Sequence, residues 1–302
     1  MKYFKTEATR TAPRYEITSQ VFEDVTGYKQ PFEQRNPDMS FSQYGICPSC
    51  LNPIQLIGIA RQIKVKPYGK HTGKDIPGLP RWKQIKYEYC PYASNNVRRN
   101  INENELLPEI TKDIVELYNL LKDQFDRVVY IISKELDIRC SLPFWKRALQ
   151  QYLANNVYCY PWLTEANLPY IFAYRGMQQQ SLYGQQFLSG SELFKALKKH
   201  PNVKFEPSQK ENGSYMTLLS QGNFLNLQFR FTGHQQRAVS GEELNESILF
   251  CIDDLVSGKT IFQRRIVFSE NYFINLVNKN GNEDKRQLLL LNIAKENMPP
   301  LQ

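Results

Sequence analysis

Cys47-Pro48-Ser49-Cys50 and, about forty residues later, Cys90-Pro91 place three thiols where they can gather on one metal ion. Two cysteines separated by two residues turn inward on one tight knuckle, and a third arriving from a returning segment supplies most of a tetrahedral shell. His71 is the only histidine between Cys50 and Cys90, and imidazole suits zinc, so it is the first candidate for the fourth ligand. Geometry opposes this choice. If the alternating run 59–66 is a strand leaving the knuckle and pairs with 83–90, the loop bearing His71 sits about 25 Å away. Cys140 or a carboxylate then competes for the fourth place. The set is expected to hold a structural zinc ion, with an iron–sulfur cluster as the lesser alternative because Cys-Pro also occurs in such frameworks. A redox pair, or thiols without metal, is the remaining alternative. No Glu stands in His-Glu-x-x-His spacing, which argues against a catalytic zinc.

The charge is concentrated beside these cysteines. Between Arg61 and Lys86 there are eight Lys/Arg and one acid, Asp75, a balance of +7 over 26 residues that leaves only +1 of the formal +8 for the rest of the chain. Lys64, Lys66, Lys70, Lys74, Arg81, Lys83 and Lys86 are interleaved with the flat rings of Tyr68, Trp82, Tyr87 and Tyr92, and Arg98 and Arg99 extend the charge. Cations neutralise phosphates and aromatic faces stack on unpaired bases, so DNA or RNA is the expected partner. An acidic protein surface and an ordinary solvated face are the alternatives. Gly69 and Gly73 lack the spacing of a phosphate-binding P-loop.

Catalytic signals are sparse. His71, His200 and His234 are the only histidines. His200, before Pro201, is expected at an exposed helix end, and His234 in a polar turn. Asp253-Asp254 is the best acidic pair, but neighbouring residues on a strand point to opposite faces and cannot share one metal without a bulge. Asp253, Asp254 and His234 are therefore weak catalytic candidates. No Gly-x-Ser-x-Gly elbow or kinase signature occurs. The leading expectation is a non-catalytic nucleic-acid-binding protein with an accessory or regulatory role. The alternatives are a metal-dependent, nuclease-like enzyme and an adaptor or inhibitor that binds an acidic partner.

These residues need elements to carry them. Hydrophobic residues make up 41% of the chain, aromatic residues 13% and charged residues 23%, a composition that folds. The amino-terminal segment has no apolar signal core, and no run of eighteen apolar residues spans a bilayer, so a cytoplasmic protein without membrane contact is expected. Six scattered cysteines do not make a disulfide scaffold. Residues 1–44 read as an extended arm with short strands. Residues 45–100 read as a basic module with a knuckle, a strand, a loop and a return strand, which in layout resembles a zinc ribbon. A 3.6-residue apolar period from Pro108 to about Asp137 predicts one long amphipathic helix, with Asp126 off its apolar stripe. Ser141 is positioned to cap a later helix, and Ser191 or Gly190 to begin a short one. Residues 101–205 are thus mainly helical, while 206–302 are mainly antiparallel strands with a short helix, the turns falling at Gln221-Gly222 and Ser257-Gly258. The fold class is α+β: a zinc-ribbon-like N-terminal module, a long amphipathic helix and a β-rich C-terminal part. The later strands are expected to serve partner binding or homo-oligomer formation.

Overall fold

A computed structural model describes the chain except for residues 11, 60–65, 95–103, 209–213, 223, 240–242, 270, 279–285 and 302. Helices and antiparallel sheets are mixed, as in an α+β protein, and among the described residues no helix is long and apolar enough to cross a membrane. The chain divides into two compact units, Met1–Asn104 with Gln236–Glu246, and Glu105–Gln235 with Ser247–Gln302.

In the first unit, β1 (Tyr3–Phe4) pairs with β2 (Tyr15–Glu16). The helix α1 (Ser19–Thr26) starts where the Thr18 hydroxyl accepts from the Val21 N–H, and stops at Gly27, whose φ of 57° suits a residue without a Cβ. Four strands follow, β3 (Glu33–Arg35), β4 (Phe41–Ile46), β5 (Pro53–Ile57) and β6 (Tyr68–His71), as an antiparallel meander in chain order. Period-two alternation sends Gly45, Ile54, Leu56, Gly69 and His71 to one face, and Tyr44, Gln55, Ile57, Tyr68 and Lys70 to the other. The first face closes a core with Phe4, Ile17, Phe22, Cys47, Cys50 and Cys90. Two glycines let the sheet approach that core: a Cβ on Gly45 would lie 2.8 Å from a Phe4 ring carbon, and one on Gly69 would lie 2.9 Å from the Met1 side chain.

The return segment differs from expectation. Residues 84–88 form a short helix, α2 (Gln84–Glu88), with Tyr87 N–H bonded to Lys83 and Tyr89 N–H to Ile85. A run of five residues is too short for its period to separate a strand from a helical turn, and in the turn Ile85 is exposed while Tyr89 is buried, so the face that alternation would pack as one is divided. The partner expected for it, 59–66, lies mostly outside the described residues, and the paired strands are β5 and β6 instead.

The second unit contains α3 (Lys112–Asp123), α4 (Phe125–Leu136), β7 (Ile138–Arg139), α5 (Leu142–Ala154), α6 (Leu168–Gly176), β8 (Gln186–Leu188) and α7 (Glu192–Lys198). It continues with β9 (Val203–Pro207), β10 (Tyr215–Ser220), β11 (Leu227–Val239), β12 (Glu243–Asp254), β13 (Lys259–Val267), α8 (Tyr272–Asn278) and α9 (Leu288–Asn297), the tip of the β11–β12 ribbon belonging to the first unit. Ser141 and Ser191 cap α5 and α7, their hydroxyls accepting from the Phe144 and Phe194 N–H groups. The long helix expected from Pro108 begins only at Lys112 and breaks at Gln124, whose φ of −123° and ψ of 19° are not helical. Asp126, expected off the apolar stripe, is wholly buried just after the break, where Arg286 pairs with it at 3.2 Å and the Gln287 N–H donates at 2.9 Å. Ser257-Gly258 joins the paired strands β12 and β13. Gln221-Gly222 does not close a hairpin, since β10 and β11 lie in different sheets.

The contact between Gly45 and Phe4 gives a test of the first unit's core. Gly45→Ala is expected to destabilise the protein by about 1–3 kcal/mol through overpacking. Thermal unfolding checks it, and an unchanged Tm would mean that Phe4 yields without cost.

Candidate metal centre

The knuckle follows directly from β4. The Cys47 carbonyl accepts from the Leu51 N–H at 3.0 Å, the Cys47 N–H donates to the Asn52 carbonyl at 2.9 Å, and Leu51 takes a φ of 59° to turn the chain into β5. Antiparallel pairing of β5 with β6 sets His71 opposite Ile54, beside the knuckle. Cys90 arrives two residues beyond the end of α2, its N–H bonded to the Tyr87 carbonyl. The objection to His71 thus falls: the hairpin that carries it is the short β5–β6 pair, not a long one running to the far end of a basic loop.

The donor atoms of Cys47, Cys50, His71 and Cys90 all lie within 4.8 Å of one another. The Cys47 and Cys90 sulfurs are 3.8 Å apart, and His71 Nε2 lies 3.2 Å from the Cys50 sulfur and 3.7 Å from that of Cys90. A tetrahedral ion with metal–sulfur bonds of about 2.3 Å and metal–nitrogen bonds of about 2.1 Å has S···S edges of about 3.8 Å and S···N edges of about 3.6 Å. Two of the three separations match such edges and the third is shorter, and the four donors could bind a metal. All six cysteines are free thiols.

Crowding three buried sulfurs together has an electrostatic consequence. Burial opposes an anion at Cys47, yet hydrogen bonds with the Cys50 and Cys90 thiols, and the neighbouring imidazole, outweigh it and hold Cys47 well below its ordinary pKa. Cys50 and Cys90 are pushed well above theirs, by burial first and then by their interaction with the Cys47 sulfur. Without a cation the site thus favours one thiolate among three. A divalent ion removes the conflict, because a coordinating thiol gives up its proton outright.

Neighbouring groups fix the ligands. The His71 ring meets Tyr87 edge-on at 4.9 Å and Trp82 at 6.1 Å, and those two rings are 5.0 Å apart. Asn52, 1% exposed, accepts from the Lys83 N–H at 2.8 Å and donates to the Lys83 carbonyl at 3.0 Å, so one side chain ties the knuckle to the segment leading to Cys90. The Arg10 guanidinium donates to the Ser49 carbonyl within the knuckle, while Lys5 donates to the Arg10 carbonyl at 2.7 Å. Asn52 carried a weak sequence signal, an Asn in the turn after Cys-x-x-Cys. Arg10 carried none, because its role depends on where the chain folds back.

The other sequence candidates are dispersed. Lys66, Lys70, Lys74, Arg81 and Lys83 are exposed, Trp82 and Lys86 are half-buried, and Lys64 lies outside the described residues. Among the described residues, Lys70, Lys74, Arg81 and Lys83 form no ion pair. Cys140 belongs to the second unit and is not in the four-donor group. Asp253 is engaged by Arg230, whose Nη2 lies 3.1 Å away, and by the Thr260 hydroxyl at 2.6 Å. Asp254 instead meets His200 Nε2 at 3.4 Å and the Val256 N–H at 3.0 Å. The two carboxylates diverge despite the register shift beside them, and among the described residues they join no three-ligand group. His200, expected at an exposed end, has a side chain only 11% exposed. His234, expected in a polar turn, is a buried β11 residue with Nδ1 3.0 Å from the Tyr160 hydroxyl and its ring stacked on Phe268. Alternation along β11 turns Gln235 to solvent while His234 points inward, so a polar neighbour in sequence did not mark a polar turn.

No protein-family model, curated protein or solved structure matches the chain.

Two substitutions test the centre. Cys90→Ser should reduce bound metal to well under one ion per chain and lower Tm sharply, since a structural ion contributes roughly 10 kcal/mol to folding; elemental analysis and thermal unfolding read both. Asn52→Ala keeps all four ligands but frees the Cys90 segment, and is expected to weaken metal affinity by roughly ten-fold in a competition titration with a chromogenic chelator.

Proposed function

We propose that Cys47, Cys50, His71 and Cys90 hold one structural zinc ion, and that the module so fixed is a non-catalytic nucleic-acid-binding surface. The observation that carries the metal reading is the four-donor tetrahedron with its S···S edge of 3.8 Å. Three sulfurs and one imidazole suit zinc. An iron–sulfur cluster spreads its thiolates over several irons, which fits a set this tight less well. Four protein ligands leave no open position for a reacting water, as in structural rather than catalytic sites. The module is zinc-ribbon-like in using a knuckle and a strand hairpin, but its second half is a strand end and a helix end.

The nucleic-acid reading rests on charge and on where it is displayed. Lys66, Lys70, Lys74, Arg81 and Lys83 are exposed on segments that flank the ligands, and four of them lack an acidic partner among the described residues. Such cations gain most from a polyanion whose counterions they release. Zinc contributes by holding β6 and α2 to the knuckle, which orders their lysines without further chemistry.

Combined reversal of Lys66, Lys70 and Lys74 to Glu is expected to weaken binding to DNA or RNA and to flatten the slope of log K against log salt by about 0.7–0.9 per lost phosphate contact. Fluorescence anisotropy over a salt series measures this. An unchanged slope would remove the surface from consideration, and a salt-dependent complex with an acidic polypeptide but no oligonucleotide would favour the acidic-protein reading.

A further inference from the structure

We propose that a single-stranded nucleic acid lies across the open face of the β3–β6 sheet, its unpaired bases stacked on Tyr44 and Tyr68 and its backbone held by Lys70. The inference rests on the nucleic-acid reading above and names the substrate class and the site.

The face is defined by alternation. Tyr44 is opposite Gln55 and Gln55 is opposite Lys70, so these three form one row across β4, β5 and β6; Tyr68 stands opposite Ile57 in the next row. Tyr68 is 39% exposed and Lys70 is exposed, while Tyr44, Gln55 and Ile57 are half-buried. The reverse face is packed, with Gly69 against Met1 and Ile17 and Gly45 against Phe4. Strand spacing puts Tyr44 about 10 Å from Lys70, and Tyr68 about 7 Å from Lys70 along β6.

Two kinds of ring occur in this unit. Of the rings interleaved with the basic residues, Trp82 and Tyr87 are engaged with His71. Tyr44 and Tyr68 differ: among the described residues neither ring packs on another aromatic or a cation, and neither hydroxyl has a hydrogen-bond partner. Lys70 likewise has no acidic partner among the described residues. Flat faces beside unneutralised positive charge complement a ligand that carries phosphates and exposed π-faces together. A duplex fits less well, because its base faces are hidden and four strands span about 14 Å, wider than the roughly 12 Å major groove. Zinc bears on this face through β6, since His71 anchors the strand that carries Tyr68 and Lys70.

The test uses the zinc-loaded full chain and a labelled oligopyrimidine about 20 nucleotides long, as single-stranded DNA, as single-stranded RNA and as the duplex. Single strands are expected to bind more tightly than duplex, and a preference between the two sugars identifies the natural strand. Tyr44→Ala and Tyr68→Ala should each weaken single-strand binding by about five- to a hundred-fold with an unchanged salt slope, while Tyr68→Phe retains affinity. Photocrosslinking of the unsubstituted protein should place adducts on Tyr44 or Tyr68, which keeps the test independent of how the variants fold. Alanine variants that bind single strands normally, with the Lys→Glu variant still defective, would overturn the stacking face and leave the nucleic-acid reading intact. Adducts confined to other segments would do the same. Absence of binding to every oligonucleotide would remove both.

Discussion

Three buried sulfurs and an imidazole within 4.8 Å of one another are a constraint that the first unit must satisfy before anything else. With protons alone the three sulfurs hold one thiolate, at Cys47, since burial and that neighbouring sulfur keep Cys50 and Cys90 protonated. One divalent cation would let all three ionise, because a coordinating thiol gives up its proton. The four candidate ligands come from a turn after β4, the end of β6 and the second residue past α2, so a cation bound there would tie these three segments together. The basic segment lies between two of these anchors, and its lysines inherit whatever order the centre imposes.

The same centre explains how the unit's aromatic residues divide. Trp82 and Tyr87 pack around His71 and hold its ring; Tyr44 and Tyr68 project from the other side of the same sheet. Alternation along β6 separates the two roles in adjacent residues, with Gly69 and His71 facing inward and Tyr68 and Lys70 outward. In the second unit the polar groups that drew notice as chemistry are absorbed by packing. Asp253 anchors Arg230, Asp254 meets His200, and His234 sits among Tyr160, Tyr174 and Phe268.

Much of this was legible in advance, for local reasons. Cys-x-x-Cys is a short-range device, and the knuckle needs only the turn between its cysteines. The Ser141 and Ser191 caps and the separate buried stripes of α3 and α4 likewise depend each on residues within a single helix. Failures came where a short pattern fits two periods or where a distant partner intervenes. Residues 84–88 alternate like a strand but close a helical turn. The Gln124 break accompanies Arg286, which donates to Gln124 and pairs with buried Asp126 from more than a hundred residues away in the chain.

The sequence by itself determined the candidate ligand types, the knuckle, the concentration of positive charge and the Ser141 cap, because each is written within a few neighbouring residues. Only the tertiary structure decided that His71 joins the thiols, that Asn52 and Arg10 brace them, and that Tyr44 and Tyr68 share an open face. Those outcomes depend on strand register, and register is fixed by which side chains the whole core can bury, a long-range condition that no local window contains.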